Sequence, residues 1–159
     1  MPFTWSGRAT QTVSAVAMSA LLMASAMKHF REPGFFYQVV PDVLCRDDSG
    51  RDESVHEAGG TPDGPLALMS REEWVAVSGL LEAGAAVGLL IPATRRAAAT
   101  CVTVMFAAFL AGHLDALRRA YGPRGSPKQR KAHTVRLPLQ APLILWAWSL
   151  RKPDAGLRR

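Results

Sequence analysis

The chain has 159 residues, a mass of 17.2 kDa, 48% hydrophobic residues, 20% charged residues and a formal net charge of +6. The hydrophobic residues are bunched, because four stretches totalling 71 residues hold only two of the 32 Lys, Arg, Asp and Glu residues. This composition excludes a disordered chain and a collagen-like repeat, and two cysteines without a Cys-x-x-Cys spacing exclude a disulfide framework. The pattern predicts a small polytopic membrane protein.

The first apolar stretch, residues 9–27, is long enough to cross a bilayer as a helix. It also resembles a secretory signal peptide, because Arg8 precedes it and Ala24-Ser25-Ala26 near its end resembles a cleavage site. The sequence leaves open whether this segment is retained or removed. A retained first helix is the simpler interpretation, since three further apolar segments follow.

A long connection, residues 28–73, follows and has two different parts. Aromatic and branched residues dominate 29–44, but Pro33, Gly34 and Pro41 interrupt them, so this part is too short to span a bilayer. We expect it to lie on the bilayer face or to fold back over the helices. Residues 45–65 are acidic and contain several glycines and prolines, which predicts a solvated loop.

The second and third apolar stretches lie near residues 74–91 and 97–114. Ser70 and Glu73 have the spacing of a capping box, which predicts the start of the second helix. The second stretch ends at Pro92, and only a short turn that contains Arg95-Arg96 separates it from the third. These two helices should therefore form an antiparallel hairpin.

The fourth apolar stretch lies near residues 135–150 and contains Pro138 and Pro142, so we expect its helix to kink or to begin late. A short basic tail, residues 151–159, follows it. The predicted fold is a single all-α transmembrane domain over residues 1–159, arranged as a four-helix bundle. The distribution of Lys and Arg between the loops leaves the orientation in the membrane open.

Charged side chains at bilayer depth are expensive and mark candidate functional residues. Glu82 lies in the middle of the second stretch, and Arg136 lies near the start of the fourth, on one helical face with Gln140. His29 and His113 end the first and third stretches. Because lipid offers these groups no partner, we expect all five side chains to converge inside the bundle.

Three interpretations of this polar cluster remain open. Glu82 and Arg136 are a buried ion pair that only fixes the packing of the helices, or they belong to a ligand or proton site. In the third interpretation, Arg136 contacts a lipid head group and is unrelated to Glu82.

Gly84 and Gly88 form a GxxxG pattern in the second stretch, which permits close approach of another helix. By the helical period this face is nearly opposite Glu82, so it is available for a neighbouring helix or for a second copy of the chain. The sequence therefore allows a homo-oligomer.

Motifs of self-contained catalysis are missing from the sequence: it has no P-loop, dinucleotide fingerprint, HExxH or nucleophile elbow. It also has no metal-ligand spacing. Whether the chain is an enzyme stays open, although an enzyme acting alone is not favoured. The basic third loop is expected to contact anionic lipid head groups rather than nucleic acid.

Four short motifs in order resemble those of the DoxX-like family of bacterial four-helix membrane proteins. They are His29-Phe30 followed by Pro33, Ser78-Gly79-Leu80-Leu81-Glu82, the run from Leu89 to Ala97, and Arg136-Leu137-Pro138-Leu139-Gln140. The resemblance covers roughly residues 15–150. It implies a multi-pass protein of the bacterial inner membrane that works as a subunit beside a quinone-reducing oxidoreductase.

On this hypothesis the bundle binds a quinone or a similar lipid-soluble carrier, and membrane redox proteins are the partners. Glu82 would handle the proton, Arg136 and Gln140 would hold the carbonyl oxygens, and His29 would lie near the membrane face. The alternative is a non-enzymatic accessory subunit of a larger envelope complex, in which Glu82 and Arg136 form a structural ion pair.

Overall fold

The computed structural model describes residues 7–46, 68–123 and 125–152 of the chain. These residues form four long helices: α1 (Gly7–Arg31), α2 (Arg71–Leu90), α3 (Arg95–Tyr121) and α4 (Pro127–Ser149). They contain no strand, only an isolated bridge between Cys45 and Met69. The all-α prediction is confirmed. Most of the predicted acidic loop and the basic tail beyond residue 152 lie outside the described residues.

Three of these helices, α1, α2 and α3, are long and apolar enough to cross a membrane. In their most apolar windows only 33%, 33% and 39% of the residues are buried within the chain. Large apolar side chains on their outer faces, such as Val16, Leu80 and Val104, are more than half exposed. Apolar surface on this scale is typical of helices that are solvated by lipid, and it indicates association with a bilayer.

α4 is not among these three helices, since Arg136, Gln140 and two prolines interrupt its apolar character. It begins at Pro127 rather than near residue 135, so of the two expected outcomes the late start is wrong, and a kink at Pro138 or Pro142 stays a prediction. The side chain of Ser126 accepts the backbone N–H of Gln129 and the Gln129 side chain accepts that of Ser126, which completes a capping box. Proline at the first helical position supports this start, because its φ suits a helix and its missing N–H needs no partner there.

The predicted capping box of α2 is confirmed. Ser70 Oγ accepts the backbone N–H of Glu73 at 3.1 Å, and Glu73 Oε2 accepts that of Ser70 at 2.8 Å. Residues 91–94 then connect α2 directly to α3. At this hairpin a Cβ added to Gly88 would lie 2.9 Å from the Cβ of Ala98, so the two helices touch closely there.

The core lies where the four helices meet, and its largest fully buried side chains come from three of them. These are Met18 and Leu22 of α1, Val75 and Leu89 of α2 and Val102 of α3. α4 joins this core through its C-terminal end, where Ala147 is fully buried. Packing of this kind, rather than helix propensity, holds the helices together.

Residues 33–44, which we call the strap, form three short 3₁₀-helices: Pro33–Phe35, Tyr37–Val39 and Asp42–Leu44. Of the two expected positions, the strap takes the second and folds back over the helices. It crosses α3 so closely that a Cβ on Gly112 would lie 2.4 Å from the carbonyl oxygen of Val39. Glycine is needed here because any larger residue would push the strap away from α3.

Candidate functional site

A cavity of about 610 Å³ lies between the helices and beneath the strap. Its volume falls in the range of about 300–1,000 Å³ that is typical of small-molecule sites. Most of its lining is apolar, and all five side chains of the predicted polar cluster line it: His29, Glu82, His113, Arg136 and Gln140. An apolar cavity with a few polar groups is the usual form of a site for a lipid-soluble molecule.

His29 and Glu82 form the most deeply buried polar pair of the cavity. His29 Nε2 lies 3.6 Å from Glu82 Oε1, and both side chains are less than 5% exposed. The two helices can bring them together because α1 and α2 meet at Gly79, where an added Cβ would lie 2.8 Å from the Cβ of His29. The sequence named both residues as candidates but did not pair them.

The hydrogen bonds of His29 fix which ring nitrogen carries a proton. Its Nδ1 lies 2.9 Å from the carbonyl oxygen of Val75, which can only accept, so Nδ1 is the donor. Ser78 Oγ donates to the same carbonyl at 2.8 Å and lies 3.1 Å from Nδ1. In the neutral ring Nε2 is therefore an acceptor that faces Glu82. The pair needs one proton, on Nε2 or on the carboxyl group, to avoid placing two acceptors together.

Two aromatic residues of the strap complete this part of the site. Phe36 stacks on the His29 ring with centroids 3.6 Å apart, and Phe35 packs edge-on against Phe36. In the sequence these aromatics form one interrupted apolar segment, and their place above the histidine was not predicted. A signal was available, since aromatic residues directly after a helix-ending histidine can fold back onto it.

Arg136 does not pair with Glu82. The ion pair between these two residues, one of the three interpretations of the polar cluster, is therefore wrong. Among the described residues Glu82 has His29 as its ion-pair partner, whereas the guanidinium carbon of Arg136 lies 4.4 Å from the ring centroid of Phe35. The physical reason is that α2 packs closely on α1, so the α1 histidine reaches Glu82. Arg136 and Glu82 still line the same cavity.

Gln140 and His113 line the cavity with unsatisfied groups. Within the described part of the chain, Gln140 Oε1 and His113 Nδ1 are buried and have no hydrogen-bond partner. Buried polar atoms without a partner cost about 1–3 kcal/mol each. A ligand that supplied a donor or an acceptor to them would recover part of that cost.

An ionic cluster holds the strap over the cavity. Asp42 accepts hydrogen bonds from Arg71, at the start of α2, and from Arg119 Nη1, near the end of α3, the second at 2.9 Å. Arg71 also donates to the carbonyl oxygen of Tyr37 at 2.8 Å. Burial alone would raise the pKa of Asp42, but the hydrogen bonds and charges of the two arginines outweigh it and lower that pKa. This cluster was not predicted from the sequence.

Gly84 and Gly88 occupy different surroundings. Gly88 packs against α3, whereas a Cβ on Gly84 would meet nothing within 4 Å. Gly88 therefore allows close packing of α2 on α3 in the hairpin, and Gly84 lies on the outer face of α2 with open space beside it. An oligomer through this pattern stays a prediction.

Metal ligands are not grouped in this site: the described residues contain no cluster of three or more His, Cys, Asp or Glu side chains that could hold an ion. The groups that line the cavity are instead suited to hydrogen bonds and to contact with apolar chains.

Three helices that are long and apolar enough to cross a membrane, with exposed apolar outer faces, indicate a small helical membrane protein. The chain belongs to the family DUF8561, a domain of unknown function, whose family model matches residues 18–151. No curated protein matches the chain, and no solved structure matches it either.

The resemblance to the DoxX-like family is wrong, because the matching family model is DUF8561 and no DoxX family model matches. The shared motifs are short and consist of residues common at the ends of apolar helices, so their order was a weak guide. The oxidoreductase partner and the bacterial inner membrane rested on that resemblance and lose its support.

Proposed function

We propose that the chain is a multi-pass membrane protein that binds a lipid-soluble molecule in the cavity beneath the strap. The observation that carries the proposal is the composition of the cavity wall, which is apolar except for one cluster of polar side chains. In this proposal α4 completes a four-helix membrane bundle beside α3, and the bilayer supplies the ligand. The apolar part of the ligand fills the cavity, and its polar end meets the cluster.

The polar cluster allows the site to hold a proton as well as a head group. His29 Nε2 and Glu82 Oε1 lie 3.6 Å apart and both side chains are almost fully buried, so bulk water would not compete for a proton held between them. A ligand that gains or loses a proton at this position would find a general acid or base within the wall. This is the chemistry that the arrangement supports best.

A quinone-like carrier is one ligand of this class and the first cofactor to test. Its carbonyl oxygens would accept hydrogen bonds from Arg136 and Gln140, and Glu82 would exchange the proton that reduction of a quinone takes up. Electron transfer would need a partner protein with a flavin, a haem or an iron–sulfur cluster, because amino-acid side chains of the types present here do not store electrons.

Quenching of Trp74 fluorescence by decylubiquinone tests the proposal, because the Trp74 side chain lines the cavity. Ala108→Phe places a ring in the cavity wall, and its neighbour Ala107→Phe, on the exposed surface of α3, is the matched control. We expect saturable quenching that Ala108→Phe weakens at least about tenfold in affinity, with no change for Ala107→Phe. Equal, unsaturable quenching in all three proteins would contradict binding of this carrier in the cavity.

A second candidate function is that of a non-enzymatic accessory subunit. One observation favours it: the His29–Glu82 pair joins α1 to α2 and so contributes to packing. In an accessory subunit the His29–Glu82 pair would have a structural role, and partner proteins of the membrane or envelope would bind the outer faces of the helices. Purification in mild detergent with identification of bound proteins and lipids separates the two candidates.

A further inference from the structure

The cavity contains one positive charge that the described residues do not neutralise. Glu82 has His29 as its partner, so this pair needs no further ion. Arg136 has only the ring of Phe35, and no carboxylate among the described residues lies within ion-pair distance of it. The arginines of the strap cluster are different, since Arg71 and Arg119 both bind Asp42.

An arginine in this position is expensive unless a counter-ion is supplied. Arg136 is partly buried in a mostly apolar wall, where its charge loses hydration that a cation–π contact with one ring restores only in part. A guanidinium also offers several donors in one plane, which matches the two oxygens of a carboxylate. The site is therefore better suited to an anionic head group than to a neutral one.

We propose, on the basis of the proposed function, that the ligand is a single-chain amphiphile with a carboxylate head group, such as a long-chain fatty acid. The carboxylate binds the guanidinium of Arg136 beside the amide of Gln140. The acyl chain fills the apolar part of the cavity between Leu21, Phe109 and Leu143. The ring of Phe35 supports the guanidinium plane from the opposite side.

Equilibrium binding of radiolabelled palmitate to the full chain in phosphatidylcholine nanodiscs, at mildly alkaline pH, tests this proposal. Hexadecanol has the same chain without the charge, and decylubiquinone is the neutral ring ligand. We expect palmitate to bind at least about tenfold more tightly than hexadecanol, because charge-assisted hydrogen bonds contribute about 1.5–3 kcal/mol. Arg136→Gln should remove this preference, with a much larger loss of affinity for palmitate than for hexadecanol.

Two further variants keep the result independent of folding. Arg136→Lys retains the charge but not the planar donors, so it should keep part of the preference for palmitate. Arg118→Gln removes one positive charge from the exposed surface of α3 and should bind palmitate as the unaltered protein does. A loss of preference in Arg118→Gln equal to that in Arg136→Gln would overturn the assignment to Arg136.

The comparison of ligands separates this proposal from the proposed function. Equal affinity for palmitate and hexadecanol, or tight binding of decylubiquinone alone, would overturn the anionic head group and leave the cavity function intact. Absence of binding by all three would count against the cavity function itself. Nanodiscs that contain phosphatidylglycerol test whether the anionic ligand is a free fatty acid or a phospholipid. Unchanged palmitate binding in these nanodiscs supports a free fatty acid. Complete competition by phosphatidylglycerol would overturn the single-chain ligand in favour of an acidic phospholipid.

Discussion

Single glycines determine where the helices of this protein touch. Gly79 lies against His29 of α1, Gly88 lies against α3, and Gly112 lies beneath the strap, each too close to admit a Cβ without movement. Gly84, which lies in α2 together with Gly79 and Gly88, faces open space. The GxxxG pattern identified Gly84 and Gly88 from the sequence, but it could not identify Gly79, because close packing depends on which helix arrives at that position.

Gly79→Ala should destabilise the protein. The new Cβ would lie 2.8 Å from the Cβ of His29, and overpacking of this kind costs about 1–3 kcal/mol. Gly84→Ala gains the same helix propensity, up to about 1 kcal/mol, without a contact. Thermal unfolding in detergent should therefore give a lower midpoint for Gly79→Ala and an equal or higher one for Gly84→Ala. Equal midpoints would show that α1 and α2 do not meet at Gly79.

Glu82→Gln tests the proton shared with His29. The glutamine amide can donate to the neutral Nε2, and His29 keeps its bonds to Val75 and Ser78, so we expect normal abundance in the membrane. We expect a loss of stability of at most about 1 kcal/mol, because Nε2 and Oε1 lie 3.6 Å apart, beyond hydrogen-bond distance. Removal of one partner from a charged buried pair costs about 3–5 kcal/mol.

The membrane fraction of cells that produce Glu82→Gln gives the result, and Glu32→Gln, at the exposed position directly after α1, is the control. Disappearance of Glu82→Gln from the membrane while Glu32→Gln remains would contradict the neutral, proton-sharing pair. It would favour the accessory function, in which the pair is a structural ion pair.

The strap is the element that covers the cavity between the helices. It supplies aromatic rings above His29 and is held at its far end by Asp42 and the arginines of two helices. The Trp74 indole N–H donates to the carbonyl oxygen of Leu44 at 2.7 Å and adds a second attachment. Opening of the strap would therefore require these contacts to break together.

The attachment of the strap should weaken in acid. The pKa of Asp42 is lower in the folded protein than in the unfolded chain, so the folded state gains stability above the ordinary Asp pKa of about 3.9. This gain is lost as the pH falls through the lowered pKa. Because Asp42 is largely exposed, the effect is at most about 1 kcal/mol.

Thermal midpoints of the unaltered protein and of Asp42→Asn, measured across the acidic range, test this expectation. The difference should be largest near neutral pH and should shrink towards zero in acid. A difference that grows as the pH falls would mean that the arginines do not hold Asp42 ionised.

The start of a helix could be predicted from the sequence where capping residues lie directly before an apolar run. Ser70 and Glu73 satisfied this condition, and α2 begins as expected. At α4 the capping box of Ser126 precedes a basic segment, so the apolar pattern placed the start too late. Local capping chemistry starts this helix, while its buried apolar residue, Ala147, lies near the other end and only the polar His133 is buried nearer the start.

At the scale of the whole molecule, apolar composition predicted the class of protein and the set of cavity-lining polar residues. Pairing was not predictable, because the partner of Glu82 depends on the helix that packs beside it. His29 lies far from Glu82 in the chain, and only the crossing of α1 and α2 joins them. The strap cluster was missed for the same reason, since Asp42, Arg71 and Arg119 belong to separate segments.

Cys101 tests which surface faces lipid. It is exposed on α3, so in a bilayer the hydrocarbon should cover it and exclude a water-soluble thiol reagent. In open membrane fragments of a Cys45→Ser variant, a membrane-impermeant maleimide should leave Cys101 unlabelled until detergent denaturation. A cysteine introduced at Lys128, at the exposed start of α4, should label in both conditions. Rapid labelling of Cys101 in intact fragments would place this face of α3 in water.

Extraction of membranes with alkaline carbonate addresses the central claim most directly, because it releases proteins held by charge and retains those embedded in lipid. The basic loops alone could hold the chain at an anionic surface, and high pH weakens such contacts. We expect the full-length chain to stay in the membrane pellet and to dissolve only with detergent. Recovery of the chain in the carbonate supernatant would contradict the membrane assignment and the ligand site that depends on it.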